Sequence, residues 1–251
     1  MGKIYSIVSG KGGVGKTTSA INLGFALNQL GEDVLVVDAN LSTPNIGLHL
    51  GSPIVPVTLN HVLNGRASVI DAIYEHISGL RILPSSLSTK ELKDIKHERL
   101  AEVGKQLKNF SDYVIIDSSA GLGKETESSI NAADEVILIT QAEMPAVTDA
   151  LKAAKLAEQL NKKVKGFIVT RYRWKKTEMP IENIKDILEL PLLGIVPEDK
   201  NMQKALYFKN PIVHTHPRSK ASRAYKGIAR RLSGRDYIKE EKQGFFSRIF
   251  R

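Results

Sequence analysis

Between Ser9 and Thr18 the chain reads Ser9-Gly10-Lys11-Gly12-Gly13-Val14-Gly15-Lys16-Thr17-Thr18, with Gly10, Gly15, Lys16 and Thr17 at phosphate-loop spacing. Glycines let successive backbone N–H groups point at one phosphate, and a following helix adds its positive end. Lys16 is placed to reach the β- and γ-phosphates, and the Thr17 hydroxyl to ligate Mg²⁺. Gly10, Lys11, Gly12, Gly13, Val14, Gly15, Lys16, Thr17 and Thr18 are therefore candidate nucleotide-binding residues. Two acidic segments could complete the metal and water sphere, Val36-Val37-Asp38-Ala39-Asn40 and Val114-Ile115-Ile116-Asp117-Ser118. A carboxylate at the carboxyl end of a parallel strand faces the ligand crevice, although each Asp could instead cap its strand end. Thr17, Asp38 and Asp117 are candidate metal ligands, and Lys11, Lys16, Asp38 and Asn40 candidate catalytic residues. The expected ligands are ATP and Mg²⁺.

The elements that must position these groups follow from the apolar pattern. Strands are expected at Ile4–Val8, Val34–Asp38, Arg81–Pro84, Tyr113–Asp117, Glu135–Thr140, Lys165–Thr170 and Leu192–Val196. Several are apolar throughout, as strands covered on both faces of a parallel sheet are. Helical patterns lie between them at Thr17–Leu30, Leu100–Asn109, Ala146–Leu160 and Ile181–Leu188. The alternation predicts a doubly wound α/β fold, its mostly parallel sheet flanked by helices. At 42% hydrophobic and 25% charged, the 251 residues have a globular composition. No apolar run approaches the ~18 residues that cross a bilayer, and no secretory signal is visible. A cytoplasmic location is expected. Zero Cys excludes disulfides, thiolate catalysis and all-Cys iron–sulfur ligation. Met1 to Ser6 matches the bare myristoylation pattern, but Gly2 abuts a strand and is not free to be acylated.

Lys11 straight after Gly10 gives Lys11-Gly12-Gly13-Val14-Gly15-Lys16-Thr17, which resembles the deviant Walker A pattern of the MinD/ParA family of P-loop ATPases. The resemblance covers essentially the whole chain and implies a P-loop NTPase fold, ATP hydrolysis and an ATP-dependent homodimer. It also implies that Lys11 crosses to the partner's nucleotide. Asp117-Ser118-Ser119-Ala120-Gly121 is similar to the family's Walker B and switch II, while Arg171, Pro197, Glu198 and Asp199 match its base-contacting segments. Glu143 and Asp149 match positions near the dimer face. One departure is Asn40, where the family usually has the Asp that positions the attacking water. An amide can accept a hydrogen bond from water but cannot take its proton, so slow hydrolysis is expected.

The formal charge of +9 is unevenly spread: from Arg218 to Arg251 there are eleven basic and three acidic residues. The last residues, Gly244-Phe245-Phe246-Ser247-Arg248-Ile249-Phe250-Arg251, place Phe245, Phe246, Ile249 and Phe250 on one helical arc and Arg248 and Arg251 on the other. Such a segment suits the interface of an anionic membrane. It resembles the membrane-targeting helix of the MinD branch, here of archaeal type. Burying four apolar side chains is worth at most about 6–10 kcal/mol. Helix formation costs part of that, so one tail binds reversibly and two on a dimer bind far more tightly. The expected organisation is an ATPase domain at residues 1–236 and a linker with an amphipathic tail at 237–251. The expected setting is peripheral on the inner face of the cell membrane, with a role in septum-site determination during cell division or in placing another assembly. Further protein partners or an activator are expected. Arg223, Lys226 and Arg230 share one helical face, and Arg171-Tyr172-Arg173-Trp174-Lys175-Lys176 is basic and aromatic, so nucleic acid, as for a ParA-like partitioning ATPase, is the alternative partner. A second alternative is an ATP-binding scaffold with negligible turnover. His214 and His216 lack further ligands nearby in sequence and are not expected to bind metal.

Overall fold

The computed structural model describes residues 2–52, 54–92 and 95–235. The expected amphipathic tail, with Phe245, Phe246, Arg248, Ile249, Phe250 and Arg251, lies outside the described residues. Eight strands form one sheet: β1 (Lys3–Val8), β2 (Val34–Ala39), β3 (Tyr74–Glu75), β4 (Arg81–Leu83), β5 (Tyr113–Ser118), β6 (Glu135–Thr140), β7 (Lys163–Tyr172) and β8 (Leu192–Pro197). Their spatial order is β3-β4-β2-β5-β1-β6-β7-β8, parallel except for the β3–β4 pair. The doubly wound fold expected from the sequence is thus the one formed, with β7 longer at both ends than its apolar run suggested.

Period-two alternation sorts the strand residues to two helical layers. Ile7, Val36, Ile115, Ile137 and Ile168 pack with α1 (Lys16–Asn28), α9 (Ile212–Thr215) and α10 (Lys220–Leu232). On the other face Val37, Val114 and Ile116 meet α3 (Leu59–Leu63) and α4 (Leu100–Leu107). Leu138, Phe167 and Val169 meet α6 (Met144–Gln159) and α7 (Ile181–Leu188). The remaining helices are α2 (Ile46–His49), α5 (Lys124–Ala132) and α8 (Asn201–Tyr207). Both sheet edges are blunted: β3 has two residues, and at β8 the Arg231 guanidinium donates to the Leu193 carbonyl. Gly2 is packed at the start of β1, where an added Cβ would lie 1.9 Å from the Ser111 carbonyl oxygen.

Parallel register sets the chemistry. Asp38 pairs with Asp117 across β2 and β5, and Asp117 with Ile7 across β5 and β1. The loop after β1 and both carboxylates therefore open onto one crevice, at the carboxyl ends of three adjacent strands.

Candidate functional site

The loop from Ser9 to Gly15 turns β1 into α1, and Gly15, at φ 95°, takes the left-handed conformation that starts the helix without a side-chain cap. The orphan N–H groups of that helix start remain available to an anion. Gly10 serves another purpose, because a Cβ there would sit 2.4 Å from the Asp149 carbonyl oxygen of α6. It lets the loop lie directly on a helix backbone.

Lys16 is buried, 8% exposed, and its ammonium donates to Ser9 Oγ at 3.0 Å. Burial lowers its pKa from the ordinary lysine value, and the nearby Asp117 carboxylate works against that shift. Lys11 is different. Its side chain is 43% exposed, with Nζ 3.9 Å from a carboxylate oxygen of the more exposed Glu143. Two adjacent loop lysines thus face different places, one the internal crevice and one the molecular surface.

Thr17 Oγ1 donates to Asp117 Oδ2 at 2.6 Å, and Asp117 Oδ1 is buried with no hydrogen-bond partner. Asp38 is also fully buried, but its oxygens accept the N–H groups of Asn40 (3.2 Å), Asn45 (2.9 Å) and Ile46 (2.9 Å). Burial, with the charge of Asp117 nearby, holds the Asp38 carboxyl above its ordinary pKa; the three N–H bonds pull the other way. Burial likewise raises Asp117, opposed by Thr17 and Lys16. A cation bound beside the two buried carboxyls would favour their ionised form. The hydroxyl and carboxylate oxygens are the hard donor set that suits Mg²⁺, and the buried Asp117 Oδ1 without a hydrogen-bond partner is an oxygen that could serve it. Asp117 thus keeps an uncommitted oxygen beside Thr17, whereas Asp38 is committed to the loop that leads into α2.

Asn40 lies in the same crevice, but its side chain is engaged. Nδ2 donates to the Thr43 carbonyl at 2.6 Å, and Oδ1 accepts from Thr43 Oγ1 at 3.0 Å. In this conformation it closes its own loop rather than facing a water molecule. Ser42 in that loop donates through its hydroxyl to Glu125 of α5, tying the Asn40 loop to the segment after Asp117.

Beside the helix start a cleft of about 780 Å³ is walled by Thr18, Arg171, Pro197, Glu198 and Tyr225. Thr170 fixes its near side by donating to the Val14 carbonyl at 2.6 Å. Arg171, Pro197, Glu198 and Asp199, which the sequence suggested as base contacts, all border this cleft. Asp199 is nevertheless engaged elsewhere: its oxygens accept the N–H groups of Asn201 (3.0 Å) and Ala221 (3.3 Å), at the starts of α8 and α10. Burial would raise its pKa, but these bonds outweigh it and hold the carboxyl below the usual range. Glu198 pairs with Arg173 at 3.3 Å. Sequence reasoning missed Tyr225, buried in α10 with its hydroxyl 3.2 Å from Ser19 Oγ and its pKa pushed up by burial to about 12. It also missed Ser9, the partner of Lys16. His214 packs edge-on against Phe25 at 5.3 Å.

A glycine-lined loop between strand and helix, a buried lysine and a hydroxyl beside a strand-end carboxylate define a P-loop nucleotide-binding domain. Residues 5–212 match the CobQ/CobB/MinD/ParA nucleotide binding domain, and the chain belongs to this family. It is 39% identical to an uncharacterised ATP-binding protein of Methanocaldococcus jannaschii, over 98% of this chain and 94% of that one. It is 34% identical to the septum site-determining protein MinD of Bacillus subtilis, over 99% and 97% of the two chains. MinD of Pyrococcus horikoshii, solved in complex with Mg-ADP, superposes with a TM-score of 0.89 at 36% identity, over 96% of this chain and all of that one. These relatives agree with ATP and Mg²⁺ as the ligands of the site. No helix among the described residues is long and apolar enough to cross a membrane.

Proposed function

We propose that this chain is a MinD-like, Mg²⁺-dependent ATPase that closes into a dimer on ATP and holds a membrane surface reversibly through residues 237–251. The observation that carries this reading is the divergence of the two loop lysines. Lys16 is buried in its own crevice, while the half-exposed Lys11 side chain is held, among the described residues, by one long surface ion pair. Exposed pairs of this kind contribute at most about 1 kcal/mol, so Lys11 is free to leave Glu143 for the phosphates of a second copy.

Within one copy, the N–H groups from Gly10 to Thr18 would cradle the phosphates, with Arg171, Pro197 and Glu198 bordering the base. Thr17 and Asp117 would hold Mg²⁺, with Asp38 acting through water. The bound metal would neutralise charge developing on the transferred phosphoryl group. Asn40 would have to release Thr43 before it could orient a water, and it accepts no proton, which supports slow turnover. Dimer closure brings two tails to one surface and raises their joint affinity through effective concentration. The cellular role would be placement of the division site or of another assembly.

Cosedimentation with anionic vesicles, with and without ATP, tests the reading. Binding is expected to require ATP and to be lost on removing residues 244–251. Lys11→Ala should also lose it while still binding ATP, and Lys16→Ala should lower phosphate release about 100-fold or more. ATP-dependent binding to duplex DNA that survives the truncation, with no binding to vesicles, would overturn it in favour of a DNA-partitioning ATPase.

A further inference from the structure

Two loops flank the crevice, residues 40–45 after β2 and residues 119–123 after β5, and they are held in different ways. The second is anchored on both sides. Ser118 Oγ donates to the Ile7 carbonyl of β1 at 2.8 Å, and Thr126 Oγ1 of α5 donates back to the Ser119 carbonyl at 3.3 Å. An added Cβ on Gly12 would lie 3.7 Å from the Ala120 Cβ, so this loop rests against the phosphate loop.

The first loop is closed mostly on itself. Thr43 and Asn40 exchange two bonds, Asn45 Nδ2 donates to the same Thr43 carbonyl at 2.7 Å, and Asp38 accepts N–H groups from both ends. Leu41 and Pro44 are buried, whereas Ser42 and Thr43 are exposed, so freedom to move is confined to that corner. Among the described residues, the only hydrogen bonds from residues 41–44 to another element are those Ser42 gives Glu125. One comes from its hydroxyl and a longer one, at 3.5 Å, from its N–H. Glu125 is half-buried in the first turn of α5, where a negative side chain suits the helix start. A carboxylate is also a stronger acceptor than a neutral oxygen. Glu125 thus ties the exposed corner of one loop to the helix that follows the other.

We propose that Glu125 is a positioning residue for hydrolysis: by holding Ser42 it keeps Thr43 on the Asn40 amide, and so limits how often that amide can turn to a water molecule. The inference rests on the ATPase reading above and adds a restraint to it. Thr43 occupies both hydrogen-bonding atoms of the Asn40 side chain, and the two separate only when the Ser42–Thr43 corner lifts. Without Glu125 that corner is held from the Asn40 and Asn45 side alone, and the open loop becomes more populated. Glu125 acts through the loop and touches no reacting atom.

The test uses the full chain with saturating Mg-ATP. Glu125→Ala should raise kcat for phosphate release about threefold to tenfold and leave KM for ATP unchanged, because the phosphate loop and base cleft are untouched. Glu125→Gln keeps an oxygen that accepts from Ser42 and should fall between the parent and the alanine variant. Ser42→Ala should reproduce the gain and add nothing to Glu125→Ala, since both remove one bond. In an Asn40→Ala background the gain should vanish, an outcome that a merely structural Glu125 would not give. Hydrogen exchange over residues 40–46 in the nucleotide-free protein reads the same tie without turnover, and Glu125→Ala should speed it about threefold or more. Where the parent turns over, a kcat that stays level or falls in Glu125→Ala overturns the proposal, as does a gain that survives Asn40→Ala. Unchanged exchange overturns it whatever the turnover. Phosphate release absent from the parent and every variant, with exchange still faster in Glu125→Ala, would overturn the ATPase reading and leave the tie standing.

Discussion

Replacing Asn40 by Asp installs the carboxylate that the family resemblance leads one to expect there, and the fold sets what that change costs. Asn40 is 8% exposed, and its amide spans Thr43 with a donated bond of 2.6 Å and an accepted bond of 3.0 Å. In Asn40→Asp the accepted bond survives and becomes charge-assisted, a gain of roughly 0.5–1 kcal/mol. The donated bond is lost, and the Thr43 carbonyl is left facing an anion, at about 1–3 kcal/mol. The new charge also lies beside the buried Asp38, whose carboxylate already accepts the N–H of residue 40. The net expectation is a destabilisation of about 2 kcal/mol in the nucleotide-free, Mg²⁺-free protein. For a chain of this size that lowers Tm by about 4–8 °C, readable by thermal or urea unfolding in EDTA. Phosphate release, measured in parallel with saturating Mg-ATP, should be faster in the variant, because Asp can take the proton that Asn cannot. A variant as stable as the parent would refute the account of the Thr43 bonds. A parent that releases phosphate as fast as the variant would refute the role given to Asn40.

Two further outcomes are expected. Gly10→Ala should destabilise the protein by about 1–3 kcal/mol in urea unfolding, because the added Cβ meets the Asp149 backbone rather than a side chain able to swing away. Asp199→Asn tests the capping carboxylate: Asp199 has a depressed folded pKa, so its ionic stabilisation is present above the unfolded value of about 3.9 and is lost as pH falls through the lower folded value. The stability difference between parent and variant should therefore be full near pH 7 and close below about pH 4. A difference that persists unchanged into acid would show that charge is not what the two helix starts recognise.

The parallel sheet was legible because its strands are apolar runs such as Val114–Ile116 and Val136–Ile139, and the phosphate loop because its spacing is strict. β3 left no trace, since Tyr74 and Glu75 are too few to show a period. α5 was hidden for a different reason. Its inward positions include Thr126 and Ser129, buried through hydrogen bonds to the Ser119 and Thr126 carbonyls rather than through apolar side chains. In the site, the commitment of Asn40 to Thr43 was readable in principle, because an Asn three residues before a Thr is a local turn signal. The capping of α10 by Asp199 was not, since Ala221 comes 22 residues later and only the fold joins them. Tyr225 is a similar case: it borders the base cleft from the far end of the chain and looks in sequence like any inward residue of an amphipathic helix.

The two blunted sheet edges limit how copies of this molecule can meet. A two-residue β3 at one margin and a β8 carbonyl already taken by Arg231 at the other leave little ladder for a second sheet to extend. Sideways polymerisation, which would be permanent and indifferent to nucleotide, is thereby discouraged. On the proposed reading, contact between copies would then fall to the face around Lys11 and would begin and end with the ligand.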